Sequence, residues 1–238
     1  RLDAQAGTGG LTYSVANTLT LTKTTIADGA GSAEFILAGP LQGVGGLIKS
    51  GSAALTLAGT NTYSGGTTLS SGTGTLRATV GPSQSGLGTG PVEIGSGALL
   101  QVNNVSATAG VVTKMNAFTG SGNLQLSFAT NATARSTALP GLTGFAGTIQ
   151  MTNTVATGDK WDASGVSAPD AAVQIAAGNT LILASSSASF GTITVNGSGN
   201  AEGRGAICLA ANTASLAGAV SLLGDTTLAG DSAGATLS

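Results

Sequence analysis

The sequence predicts an all-β fold, a parallel β-helix in which short strands stack coil upon coil. Runs such as Leu55-Thr56-Leu57 alternate apolar and polar residues and then stop at glycine, which indicates strands with one buried face. Glycine and β-branched residues interrupt every window in which a helical stripe would form. Four leucines recur at intervals of 18, 20 and 19 residues, a spacing typical of one solenoid coil: Leu19, Leu37, Leu57 and Leu76. One strand of this size cannot bury itself, so each coil depends on its neighbours.

Strand-like runs occur along the whole chain, and Gly, Asn, Ser or Asp lies between most of them. In chain order they are 18–21, 35–37, 55–57, 92–94, 99–102, 123–126, 148–151, 173–175, 180–183, 192–195 and 220–223. The 5 prolines lie beside glycine or at the ends of runs, as expected for turns and strand edges. The segments 83–90 and 156–172 interrupt the pattern, and we expect them to be protruding loops.

The composition excludes several classes of protein. Only 8% of the residues are charged and 3% are aromatic, whereas 41% are hydrophobic. Disordered chains carry more charge and fewer aliphatic residues, so the composition indicates a folded protein. The net charge is −2 and the few basic residues are scattered, which argues against nucleic-acid binding. No apolar window of about 18 residues occurs, so the sequence predicts no transmembrane helix.

The residue types that most enzyme and metal sites need are scarce. The chain has no histidine, which removes histidine-based triads and the commonest metal ligand. Cys208 is the only cysteine, and we interpret it as a small core residue and not as a nucleophile or zinc ligand. Asp28, Asp225 and Asp231 could contribute to a calcium site, but turn formation explains them better. We therefore expect no catalytic, cofactor-binding or metal-binding residues and no cofactor.

One segment keeps an enzymatic alternative open. Some β-helix enzymes cleave polysaccharides with paired carboxylates, and Asp159-Lys160-Trp161-Asp162 is the nearest candidate, together with Asp170. Trp161 could stack on a sugar ring while the acids transfer protons. The simpler interpretation is a solvated loop in which Trp161 closes the flank of the solenoid.

Two further residue pairs favour structural roles. Asn61 and Tyr63 lie two positions apart and therefore share one face of a strand. Buried asparagines of successive coils can stack as hydrogen-bonded ladders, and we favour that role for Asn61 over ligand contact. Glu202 and Arg204 also share a face, and we expect them to form a local ion pair of small energetic value.

Residues 43–80 contain four ordered elements: 46–51, 55–59, 61–68 and 74–76. A fairly specific sequence motif lies within these elements. It consists of Lys49-Ser50-Gly51 followed, at this distance, by Asn61-Thr62-Tyr63-Ser64-Gly65. On these residues the segment resembles the passenger-associated transport repeat of bacterial autotransporters. The motif positions to which we assign structural roles are Lys49, Gly51, Leu55, Leu57, Asn61, Tyr63, Gly65 and Gly66.

The resemblance implies a right-handed parallel β-helix, secreted to the outer surface of a Gram-negative-type bacterium. It implies no activity, so we expect a non-enzymatic β-helical stalk, adhesin shaft or extracellular filament unit. The partners we expect are neighbouring coils or identical segments end to end, and host or environmental surfaces or glycans, with no nucleic acid and no membrane span. A self-associating adhesin with weak contacts through its Ser/Thr-rich faces is a further alternative.

We expect residues 1–238 to be one β-helical segment of a larger repetitive protein. The segments 24–33 and 226–235 resemble each other at an offset of 202 residues, which indicates a longer repeat. Within the segment we expect coils like the transport repeat over 1–80, looser coils with loops over 81–172 and regular coils over 173–238.

Overall fold

The computed structural model describes residues 2–5, 12–32, 34–72, 74–81, 84–106, 110–128, 135–152, 160–210 and 214–230. In these ranges the ordered secondary structure is β-strand, joined by turns and bends, and no helix occurs. The chain forms two compact units, which are described in turn. Unit 1 comprises Arg1–Asn103 and Asn116–Leu124, and unit 2 comprises Asn104–Met115 and Gln125–Ser238.

The strands of unit 1 are short, because a turn follows every few residues. They are β1 (Leu2–Gln5), β2 (Thr12–Val15), β3 (Leu19–Thr20), β4 (Thr25–Ala30), β5 (Glu34–Leu37), β6 (Leu41–Gln42), β7 (Leu47–Lys49), β8 (Ala54–Leu57), β9 (Thr67–Leu69), β10 (Thr75–Gly81), β11 (Gln84–Ser85), β12 (Val92–Ile94), β13 (Leu99–Asn104) and β15 (Phe118–Gly120).

In unit 1, strands of successive coils pair in parallel and in register. One sheet runs β1-β4-β7-β9-β12-β15, a second runs β2-β5-β8-β10-β13, and β3 pairs with β6. Thr25, Leu47, Thr67 and Val92 lie opposite one another in the first sheet, so the coils take 22, 20 and 25 residues. The antiparallel pair β10–β11 lies within one coil. This arrangement is a β-solenoid, and it confirms the all-β class predicted from the alternating runs.

The core of unit 1 consists of apolar columns that run from coil to coil. Leu37, Leu57 and Ala78 are successive partners in the second sheet, and all three are buried. Outward positions between them, such as Thr56, remain partly exposed. Strict alternation therefore converts each run into one face that packs inward and one that meets solvent.

Unit 2 is built in the same way, with somewhat longer strands. They are β14 (Gly110–Thr113), β16 (Asn123–Phe128), β17 (Arg135–Ala138), β18 (Gly144–Phe145), β19 (Thr148–Met151), β20 (Lys160–Asp162), β21 (Ser167–Ile175), β22 (Thr180–Leu183), β23 (Ala188–Val195), β24 (Ile207–Leu209), β25 (Leu216–Leu222) and β26 (Leu228–Gly230). One sheet runs β16-β19-β21-β23-β25 and the other runs β14-β17-β20-β22-β24-β26.

Three apolar columns of unit 2 are buried in the inner coils and exposed in the last described one. The columns are Ile149-Val173-Ile193-Val220, Met151-Ile175-Val195-Leu222 and Trp161-Leu181-Ile207-Leu228. Their first three members are at most 2% exposed, whereas the final members Val220, Leu222 and Leu228 are 39%, 50% and 40% exposed. These final members are apolar like the core residues below them. In the described part of the chain no further coil packs against them.

The four evenly spaced leucines do not all share one column: Leu19 pairs with Leu41 in a separate short sheet, and Leu76 pairs with Leu55. The prediction of two protruding loops is wrong where the structure describes them. Of segment 83–90, Gln84–Ser85 forms β11 and Leu87 is fully buried, so this part does not protrude. Of segment 156–172, residues 160–172 contain β20 and much of β21, and the rest lies outside the described residues.

Leu57→Asp should disrupt unit 1, because it places a carboxylate in a fully buried aliphatic column. We expect the free energy of unfolding to fall by more than about 4 kcal/mol, since the lost leucine and the desolvated charge both contribute. Thermal unfolding followed by circular dichroism measures this loss. The matched control is Thr62→Asp at an exposed position, and equal melting of the two variants would contradict the assigned register.

Candidate functional site

The coil that begins at β7 carries the motif residues, and Lys49 is its buried charge. Lys49 ends β7 in an inward column between Ala27 and Leu69, and only 3% of the residue is exposed. Its Nζ atom donates to the carbonyl oxygens of Ser50 at 2.6 Å and Gly51 at 2.7 Å. Burial lowers the pKa of Lys49, and the nearby Asp28 carboxylate opposes that shift. The lysine therefore binds the turn that follows its own strand.

Gly51 belongs to the same turn. Its φ of +72° lies in the left-handed region, and a side chain there would collide with the carbonyl oxygen of Gly29 in the preceding coil. Glycine at this position allows the backbone to turn while adjacent coils remain in contact. Lys49 and Gly51 are thus one structural element, with the ammonium group bound to the carbonyls of a turn that needs glycine.

Asn61 binds the backbone of the coils on either side of it. Its Oδ1 accepts from the Leu41 amide at 2.8 Å, and its Nδ2 donates to the Gly86 carbonyl at 2.7 Å. The residue is 1% exposed. The asparagine therefore satisfies backbone groups at a corner of the solenoid, and these bonds replace the asparagine ladder that the sequence suggested.

Tyr63 explains how a polar residue is accommodated in the core. Thr67 occupies the inward column between Leu47 and Val92, where its hydroxyl group is buried. The Tyr63 hydroxyl lies 2.6 Å from Thr67 Oγ1, so each group satisfies the other. Burial raises the pKa of Tyr63 to about 12, and the hydrogen bond to Thr67 partly offsets the effect.

The remaining motif positions are two buried leucines and two glycines at a tight corner of the coil. Leu55 and Leu57 are core residues of β8, 2% and 0% exposed. Gly65 approaches the backbone of Gly45 so closely that a side chain would overlap it, and Gly66 has a φ of +86°. Together these positions form a corner that only glycine fits.

Asn116 is a residue of the same kind that sequence reasoning missed. Its Nδ2 donates to the Gly90 carbonyl at 2.7 Å, and the residue is buried. Asn61 and Asn116 each lie two residues before a fully buried aromatic side chain, Tyr63 and Phe118. That spacing is the sequence signal that could have identified the second asparagine.

The candidate polysaccharide site does not form an exposed aromatic platform. Trp161 is fully buried in β20, with its ring centroid 5.5 Å from that of Phe190. Asp162 Oδ1 accepts from the backbone amide and the hydroxyl of Ser164, and Asp170 is exposed on β21. Asp159 lies outside the described residues. A sugar ring in solvent therefore has no access to the indole face.

Lys160 forms a largely enclosed ion pair with Glu202. Its Nζ lies 2.9 Å from both carboxylate oxygens of Glu202, and 8% and 17% of the two side chains are exposed. Arg204 Nη1 lies 3.8 Å from the same carboxylate. The expected pair of Glu202 and Arg204 is therefore present, but the closer partner of Glu202, which lies in a turn, is Lys160 of β20.

The other candidate ligands do not assemble into a site within the described residues. No group of three or more Cys, Asp or Glu side chains gathers there around a common point. Asp28 accepts from the amide of Gly29 at 2.8 Å, Asp225 is exposed, and Asp231 lies outside the described residues. Cys208 is fully buried in β24. Within the described ranges, no helix long and apolar enough to span a membrane is found.

Comparison with known proteins identifies the motif coil. Residues 47–77 match the family model of the passenger-associated transport repeat. The chain carries this repeat in a β-solenoid, as an autotransporter passenger domain does. The matched segment begins at the first residue of β7 and ends within β10, so it contains all eight motif residues described above. No curated protein and no solved structure matches the chain.

Tyr63→Phe should change how stability depends on alkaline pH. Between the ordinary tyrosine pKa of 10.0 and about 12, the folded chain keeps the Tyr63 proton while the unfolded chain loses it. The wild-type chain should therefore lose roughly 3 kcal/mol of stability as the pH rises through that window. The variant should be about 1 kcal/mol less stable near pH 9 because the Thr67 bond is lost, but it should lack this decline.

Chemical unfolding at a series of pH values measures the difference. Thr67→Val is the control, since it removes the same hydrogen bond and keeps the titrating phenol. A decline of equal slope in Tyr63→Phe and wild type would show that Tyr63 does not cause the alkaline loss.

Proposed function

We propose that this chain is a non-enzymatic structural segment of a protein secreted to the outer surface of a Gram-negative-type bacterium, where it acts as a β-helical stalk or adhesin shaft. The observation that carries the proposal is the transport repeat set within stacked, in-register coils. Each coil packs on the one before it, so a chain emerging from a membrane can fold progressively without a distant partner. This favours a role in extracellular folding and support.

The residues of the repeat support a structural interpretation of that coil. Lys49, Asn61 and Tyr63 are all buried, and each directs its polar atoms to groups of the protein itself. A ligand in solvent has little access to any of them. The enzymatic alternative loses support in the same way, because its aromatic residue, Trp161, packs inside unit 2.

A stalk should lift a distal element above the surface polysaccharide of the cell. The chain is fused between an N-terminal epitope and an autotransporter translocator barrel in a host with long lipopolysaccharide. We expect antibody to label the epitope on intact cells, and to label a fusion that lacks the chain much less. Leu57→Asp should reduce labelling and protease resistance together, whereas Thr62→Asp should not.

Two results would contradict a stalk. One is equal labelling with and without the chain, which would show that the segment does not extend the epitope. The other is depolymerisation of a glycan by the purified chain, abolished by Asp162→Asn, which would establish the enzymatic alternative.

A second candidate function is a filament unit, in which the last described coil of unit 2 would meet a second copy of the chain. Val220, Leu222 and Leu228 continue buried columns yet are partly exposed, and no described strand pairs with the outer edge of β25. Such an edge is a template for another strand. A further coil with apolar residues in the same columns would cover it, whether that coil follows in a longer chain or belongs to a second copy, and the oligomeric state distinguishes the two.

Leu222→Lys should weaken such end-to-end assembly, because a charge would replace an apolar residue at the centre of the exposed edge. We expect the wild-type chain to form higher oligomers with rising concentration and the variant to remain monomeric, as measured by light scattering after gel filtration. Val44→Lys, at a corner residue that is 76% exposed, is the matched control. A wild-type chain that stays monomeric throughout, or equal loss in both variants, would exclude the filament.

A further inference from the structure

An open groove on the outside of unit 2 is lined by residues of four successive coils. It has a volume of about 330 Å³, at the lower end of the range for small-ligand sites. Its lining comes from the ends of β19, β21 and β23 and the residue after β25: Gln150, Met151, Thr152, Gln174, Ile175, Ala176, Thr194, Asn196 and Leu223. Neither the stalk nor the filament makes use of this groove.

Two outward columns form its walls. Gln150, Gln174 and Thr194 are register partners in successive coils, and their side chains point away from the core. The second column lies two residues further along each strand. The parallel ladder continues through it, because the backbone amides of Ala176, Asn196 and Leu223 donate hydrogen bonds to carbonyl oxygens of the preceding coil. The columns are therefore about 7 Å apart, and each repeats at the coil spacing of about 4.8 Å.

The groove lining is uncharged; most of its exposed area is apolar, and side-chain amide and hydroxyl groups supply the rest. No Asp, Glu, Lys or Arg lines the groove, so it has no specific partner for a polyanion or a polycation. The amides of Gln150, Gln174 and Asn196 both donate and accept hydrogen bonds, as sugar hydroxyl groups do. Gln150 Nε2 and Gln174 Oε1 are 3.4 Å apart, a long bond that a ligand can replace. Ala176 and the 59% exposed Leu223 present an apolar surface to the C–H face of a sugar ring.

The direction of the groove favours a glycan over a peptide as its ligand. The groove runs across the strands, and the backbone groups of β21 and β23 beneath it are already paired in the ladder. An extended peptide binds a sheet mainly through such backbone groups at an edge, and here it would find few partners. A polymer with one hydroxyl-bearing ring per coil meets a repeated amide or hydroxyl group at each step.

We propose that this groove of unit 2 binds an uncharged, extended oligosaccharide, laid across β19, β21 and β23 with about one ring per coil. The site is shallow and lacks aromatic side chains, so its affinity is low and its effect depends on many copies on one surface. The proposal stands apart from the stalk function, because the display assay measures epitope accessibility and the groove is tested by ligand binding.

The experiment uses the 238-residue chain with cellohexaose, chitohexaose and mannohexaose as neutral probes, and with polygalacturonate and an extended hexapeptide as comparisons. Side-chain amide resonances of Gln150, Gln174 and Asn196 are followed by NMR during titration. We expect at least one neutral probe to shift these signals in a saturable manner. Gln174→Ala and Asn196→Ala should each weaken binding by about fivefold or more, the effect of one lost hydrogen bond.

The matched control is Gln42→Ala, an exposed glutamine of β6 in unit 1. It should leave the dissociation constant unchanged, as should Thr192→Ala on the next outward column of β23. Circular dichroism confirms that each variant is folded. Absence of saturable shifts with all neutral probes, tighter binding of the peptide or polyanion, or equal weakening by Gln42→Ala would each overturn the proposal.

Discussion

The in-register parallel ladder is the constraint on which the rest of this structure depends. It places each side chain directly above its counterpart in the preceding coil, as Leu57 lies above Leu37 and Ile193 above Val173. A column that is apolar in one coil must therefore stay apolar in the next, or supply its own polar partner. The constraint acts locally, coil by coil, and so it tolerates coils of different length as long as the strands return to register.

The polar residues of the interior show how that condition is met. Thr67 interrupts an apolar column and is satisfied by the Tyr63 hydroxyl, while Lys49 directs its ammonium group to the carbonyls of the next turn. Asn61 satisfies backbone groups of two other coils. Each solution uses atoms within one or two coils. This explains why these residues occur together in a short motif, since separating them would leave one polar group buried without a partner.

The alternation of apolar and polar residues within single runs predicts the class of fold. It does not predict features that depend on contacts between distant segments of the chain. Strand and burial pattern follow from period two, so Leu55 and Leu57 were assigned correctly from the sequence alone. The register does not follow from the runs, because turns of unequal length separate them, and Leu57 pairs with Ala78 and not with the evenly spaced Leu76. The sequence predicts a solvated loop around Trp161, whereas Trp161 is buried in β20 and its neighbour Lys160 is buried against Glu202, a residue 42 positions away. No local pattern contains that partner.

Inward side chains pack in the core, so only the outward columns can contact a ligand. The same register that aligns Val173 with Ile193 in the core also aligns Gln174 with Thr194 on the surface. Any outward residue therefore has a counterpart one coil away, and a groove between two such columns receives one residue of each column from every coil. A ligand with its own repeat fits this arrangement better than a compact molecule does, because each added coil contributes another contact without a new fold. The proposed oligosaccharide has such a repeat, whereas the inward columns must stay apolar for the coils to pack.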